Sequence, residues 1–201
     1  MKTYFNLIKN LQELLLGVSI LILTTLPIAI LLTPYYFNES GYTWLYAIAH
    51  LSLFLVMIIR PLADVFKKIS WIRPLVILRK GLGVLSASII VSLILVKIMI
   101  DPGEYFSSFI NYEYWSPSNL SFLAHIADIS AILLLITSNN LSKKLLGNNW
   151  KRIQRLAYVY FYGSGLYVFL SYGDKIVFTY LVLVTFFTLL AWAKNHNLIR
   201  E

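Results

Sequence analysis

Two histidines and one aspartate stand inside apolar runs, where ionisable side chains are costly and mark candidate functional sites. They are His50, in the run Tyr42 to Ile59, and His125 with Asp128, in the run Leu120 to Ile136. An imidazole nitrogen can ligate iron or pass a proton. A carboxylate three residues from an imidazole shares its helix face, where it can orient the ring or hold a proton. His50 follows Trp44 by six residues, about 9 Å along a helix. His125 lies a similar distance inside its own run, so the two imidazoles could share one depth and clasp a haem between their helices. The plainer alternative is that each histidine hydrogen-bonds a neighbouring helix, with Asp128 satisfied locally or through Lys97. His196 sits in the polar tail AKNHNLIRE and reads as a solvated residue.

Membrane helices must position these groups. Of the 201 residues, 59% are hydrophobic and 13% charged, and the mean hydropathy is +0.73. A soluble fold of this size has too little interior to hide so much apolar surface. Six runs approach the roughly 20 residues that cross a hydrocarbon core. They are Leu11 to Thr33, Tyr42 to Ile59, Gly81 to Ile100, Leu120 to Ile136, Ile153 to Leu170 and Ile176 to Trp192. Pro27 predicts a kink in the first. Lys2 and Lys9 precede that run, which is too long for a signal-peptide core.

The net charge of +8 comes from Lys and Arg clustered between apolar runs, the pattern of cytoplasmic loops, and nucleic-acid binding is set aside. Arg60, Lys67, Lys68, Arg73, Arg79 and Lys80 separate runs two and three. Lys143, Lys144, Lys151, Arg152 and Arg155 separate runs four and five. The opposite loops carry Glu39, Asp101, Glu104, Glu113 and Asp174, with Lys175 as their one basic residue. The positive-inside rule then predicts six spans with both termini cytoplasmic. Trp44, Trp71, Trp115, Trp150 and Trp192 fall at run ends or in loops, as interfacial anchors do. The loop Asp101 to Asn119 is the longest on the outer side and reads as a lid or a spacer. Residues 1–201 form one domain, so any soluble catalytic module would belong to another chain.

The absence of cysteine excludes disulfides, thiolate metal sites and a cysteine nucleophile. No phosphate loop or nucleophile-and-base pair supports a stand-alone hydrolase or transferase. The fifth run carries Tyr158, Tyr160, Tyr162 and Tyr167 around Gly163-Ser164-Gly165. The small residues permit close helix approach, while the tyrosines read as packing or, alternatively, as the lining of a quinone or lipid pocket.

Several short motifs now combine: Arg60-Pro61-Leu62-Ala63, Arg79-Lys80-Gly81-Leu82-Gly83-Val84, Thr137-Ser138, and the stretch Leu146 to Tyr158, LGNNWKRIQRLAY. In this order, over about residues 45–170, the chain resembles the ferric reductase-like transmembrane family. It looks nearest the branch formed by the haem-binding membrane subunits of bacterial periplasmic methionine sulfoxide reductase systems. The resemblance implies a six-helix bundle in the bacterial inner membrane, with b-type haem between spans three and five and electrons passed outward. It places the family's haem-ligand histidines at Leu93, Gln154 and Tyr167, and none of the three is a histidine here. Haem iron of this kind needs axial imidazoles.

The resulting expectation is a haem-less accessory or structural subunit of a membrane complex, lying in lipid against a membrane-protein or redox partner. The alternative is an electron-transfer subunit that holds haem b or quinone at a non-standard site formed by His50 and His125, with Asp128 beside them.

Overall fold

A computed structural model describes residues 2–116 and 119–196. Residues 117–118 of the Asp101 to Asn119 loop, and 197–201 of the tail, lie outside the described residues. Every regular element described is helical. The long helices are α1 (Lys2–Leu32), α2 (Glu39–Val65), α4 (Leu78–Ile100), α6 (Ser121–Thr137), α9 (Leu156–Tyr172) and α10 (Lys175–Asn195). Short helices α3 (Ile72–Leu75), α5 (Pro102–Ile110), α7 (Asn140–Leu146) and α8 (Asn148–Gln154) fill the connections, with a 3₁₀ turn over Tyr112–Trp115.

Helix ends fall where the local chemistry puts them. Asn38 accepts a hydrogen bond from the Gly41 amide (3.2 Å) and caps α2, and Asp101 accepts one from Glu104 (2.8 Å) and caps α5. Asp174 accepts from the Ile176 and Val177 amides and caps α10. Gly173, at φ +68°, stops α9 in the left-handed conformation that glycine takes without a Cβ clash, so α9 and α10 meet in a tight turn.

Four stretches are long and apolar enough to cross a membrane: α1, α2, Ile72–Ile100 and α10. A fifth exists if α6 and α7, bent by 97°, count together. Six were expected from the apolar runs. The difference lies in α6 and α9, each of 17 residues, about 25 Å long against a hydrocarbon core of about 30 Å. The chain is thus a multi-pass membrane protein.

The most enclosed span is Ile72–Ile100, which includes α4, with 61% of its apolar window buried against 17% for α1 and 22% for α10. It packs on α1, α2 and α6. Small residues allow this: Ser86, Ser88 and Ser92 are fully enclosed, and a Cβ on Gly81 would sit 3.0 Å from the Leu15 Cβ of α1. α4 also hydrogen-bonds the backbone of both proline-bearing helices. Ser92 donates to the Ile22 carbonyl (3.4 Å) and Arg79 to the Val56 carbonyl (2.8 Å). Each carbonyl lies five residues before a proline, Pro27 or Pro61, next to the one that the proline leaves without its backbone donor. α2 continues through Pro61 to Val65, past the expected end at Ile59.

α9 approaches its two neighbours at different glycines. A Cβ on Gly163 would lie 3.3 Å from the Leu123 carbonyl of α6, and one on Gly165 would lie 2.7 Å from the end of the Leu181 side chain of α10. Backbone yields less readily than a leucine methyl. We expect Gly163→Val to destabilise the bundle by about 1–3 kcal/mol, as overpacking does, and Gly165→Ala to cost less. Reversible unfolding in mixed detergent micelles measures both.

Candidate functional site

A cavity of about 510 Å³ lies between α2, α4, α6, α9 and the start of α10. Its position follows from the glycines. Close approach on two flanks of α9 leaves the face carrying Tyr160, Ser164, Tyr167 and Val168 turned to the gap. α2 contributes Tyr42, Tyr46 and His50, α4 contributes Ile90, Leu93 and Lys97, and α6 contributes Ala124, Ala127 and Asp128. Glu39 and Asp174, at the first turns of α2 and α10, border it at the acidic end of the bundle.

His50 is 9% exposed. Its Nδ1 lies 2.9 Å from the Tyr46 carbonyl, which only accepts, so Nδ1 carries the proton. Nε2 is buried and has no hydrogen-bond partner. In the neutral ring it is an unused acceptor, a costly state that native interiors rarely tolerate without a reason. Asp128 borders the same cavity and makes neither a hydrogen bond nor an ion pair within 4.0 Å among the described residues. Lys97, on the facing wall, is near enough to interact with it electrostatically without direct contact.

The expected pairing of His50 with His125 is not brought together around this cavity. His125 does not border it. Its Nδ1 hydrogen-bonds the Ser121 carbonyl (2.7 Å) and its Nε2 the Ser108 hydroxyl of α5 (3.2 Å). The ring also packs edge-on to Phe109 at 4.3 Å and beside Trp115 at 5.6 Å. The carboxylate borders the cavity and the imidazole pins α5 and the 3₁₀ turn to α6, while the two stay near enough along α6 to interact electrostatically. Sequence reasoning missed Ser108, which sits in a loop read as a lid or spacer. His196 is exposed, hydrogen-bonded to the Trp192 carbonyl (2.9 Å) and packed on the Trp192 ring.

Of the three positions where the resemblance expects a haem ligand, Leu93 and Tyr167 border this one cavity from α4 and α9. Gln154 is elsewhere. It ends α8, before α9 begins, and donates to the Thr137 hydroxyl (3.3 Å), while Trp150 donates to the Thr137 carbonyl (2.9 Å). These two bonds fasten α8 to the end of α6 at the basic end. The cavity's donor set does not fit an iron held by two imidazoles, because His50 is the one imidazole on its wall.

The tyrosines divide similarly. Tyr162 reaches Thr185 of α10 (2.8 Å) and serves packing. Tyr160, 3% exposed, reaches Ser86 of α4 (3.0 Å) and closes the cavity floor. Tyr160→Phe leaves the enclosed Ser86 hydroxyl without its partner, and we expect a loss of about 1–3 kcal/mol. Adding Ser86→Ala should recover part of that loss, read by the same unfolding measurement. Family models, curated proteins and solved structures were all compared with this chain, and none matches it.

Proposed function

We propose that the chain is a haem-less ferric reductase-like membrane protein that serves as an accessory subunit of a membrane complex. Six helices cross the bacterial inner membrane, α6 and α9 being the short spans, and both termini are cytoplasmic. The segregation of charge supports this orientation. Lys67, Lys68, Arg79, Lys80 and the α7–α8 segment gather at one end, and Glu39, Asp101, Glu104 and Asp174 at the other. A 17-residue helix is at the lower limit for a span, and α7 and α8 provide interfacial cover at the basic end.

The observation that carries the reading is that Leu93 and Tyr167 face one another's cavity from α4 and α9, with a single imidazole, His50, among the lining residues. A leucine cannot ligate iron, and the cavity persists without the pair of ligands that would fill it. The broadly exposed apolar surfaces of α1 and α10 are available to lipid and to the helices of a partner chain.

A second reading, an electron-transfer subunit that holds a quinone, is favoured by the unpartnered Nε2 of His50, which can accept a hydrogen bond from a quinol hydroxyl. Solvent extraction of the purified protein separates the two. A stoichiometric quinone that disappears in His50→Ala supports the second.

The principal experiment is an absorption spectrum of the protein purified in mild detergent, oxidised and dithionite-reduced, beside that of Leu93→His/Tyr167→His. We expect no Soret band from the parent chain and a b-type spectrum from the double variant, whose two new imidazoles flank the cavity. A stoichiometric Soret band in the parent chain contradicts the haem-less reading. A folded double variant that remains colourless contradicts the assignment of these positions.

A further inference from the structure

The polar groups around the cavity are out of balance in both charge and hydrogen bonding. His50 offers a lone pair at Nε2 with no donor to meet it. Asp128 offers a carboxylate with no hydrogen bond or close ion pair among the described residues. Glu39 and Asp174 add two carboxylates at the mouth, and Lys97 is the one basic side chain on the wall. Three acids against one base leave a formal balance of −2. The unmet demand is therefore for hydrogen-bond donors and positive charge.

The rest of the wall adds to that selection. Tyrosines border the cavity on the α2 and α9 sides, and aromatic ring faces attract cations. Ile90 and Leu93 supply an apolar surface for a hydrocarbon body. At about 510 Å³ the cavity is far larger than a bare inorganic ion needs. Three liganding residues within reach of one metal ion are not found among the described residues.

We propose that this cavity binds a protonated organic amine, its ammonium N–H groups donating to the Asp128 carboxylate and to His50 Nε2, and its apolar body lying against Ile90 and Leu93. The assignment rests on the cavity's side chains and is independent of the family reading. It goes beyond the quinone alternative because a quinone brings no positive charge to Asp128. An ammonium with at least two N–H groups satisfies both acceptors. A quaternary ammonium satisfies only the charge, and an alcohol only the hydrogen bonding.

The test is calorimetric titration of the full chain in detergent with 2-phenylethylammonium, 2-phenylethanol and trimethyl-(2-phenylethyl)ammonium. These three probes share a body and differ in charge and N–H count. We expect the primary ammonium to bind roughly tenfold or more tightly than the alcohol, as a charge-assisted bond implies. It should also bind more tightly than the quaternary ion. In Asp128→Asn, nearly isosteric, the ammonium should lose roughly tenfold in affinity while the alcohol changes little. Equal affinity for alcohol and ammonium overturns the proposal, as does equal affinity for the primary and quaternary ions. Absence of saturable ammonium binding to the folded parent chain overturns it without recourse to any variant.

Discussion

The close approach of α9 to α6 at Gly163 and to α10 at Gly165 is the constraint on which the rest of the bundle depends. Lipid offers no hydrophobic drive for one helix to seek another, so helices associate where small residues let backbones meet and where polar groups find partners. α9 meets both conditions on its flanks: glycine against backbone at α6, glycine against leucine at α10, and Tyr162 on Thr185. Its remaining face is left with a gap. The cavity is the space that remains when α9 is drawn to two neighbours and α4 is drawn to α1 through Gly81 and Ser92.

The same economy governs the polar side chains. In hydrocarbon each unsatisfied group costs several kcal/mol by rough transfer measures, so polar residues are expected to meet one another or a water-accessible space. Ser92 and Arg79 go to the carbonyls of Ile22 and Val56, one turn ahead of Pro27 and Pro61. Tyr160 goes to Ser86, and Gln154 and Trp150 go to Thr137. His125 goes to Ser121 and Ser108. What these pairings leave over at the cavity is Asp128 and one nitrogen of His50, set in a largely apolar wall. Two unmet acceptors in such a wall select for a ligand that brings donors.

Much of the fold was legible because it depends on local sequence. Apolar runs located the six long helices to within a few residues at most ends, and Asn38, Asp101 and Asp174 are capping residues readable as such. The start of α1 at Lys2 was missed by nine residues, since Asn6, Lys9 and Asn10 break the apolar run although the helix continues through them. The end of α2 was missed because the apolar run stops at Ile59, whereas the helix runs on past Arg60 and Pro61 to Val65. Gln154 was read as part of the fifth span, but a break at Arg155 places it in α8. In the site, His50 and Asp128 stood out as ionisable groups in apolar runs. Their convergence on one cavity, and the diversion of His125 to α5, depend on which helices touch, which no run of hydropathy records.

The gap beside α9 is a cavity with a few polar groups in a largely apolar wall, bordered at the acidic end of the bundle by Glu39 and Asp174. Because the chain has no cysteine, one introduced thiol reports one position. Ser164→Cys, on the cavity face of α9, is compared with Phe186→Cys, on the exposed apolar side of α10, for reaction with a cationic, membrane-impermeant methanethiosulfonate added from outside to intact spheroplasts. Rapid labelling at 164 and none at 186 is the expected result. A thiol at 164 that stays unreactive in native protein, yet reacts once the protein is unfolded in detergent, would contradict it.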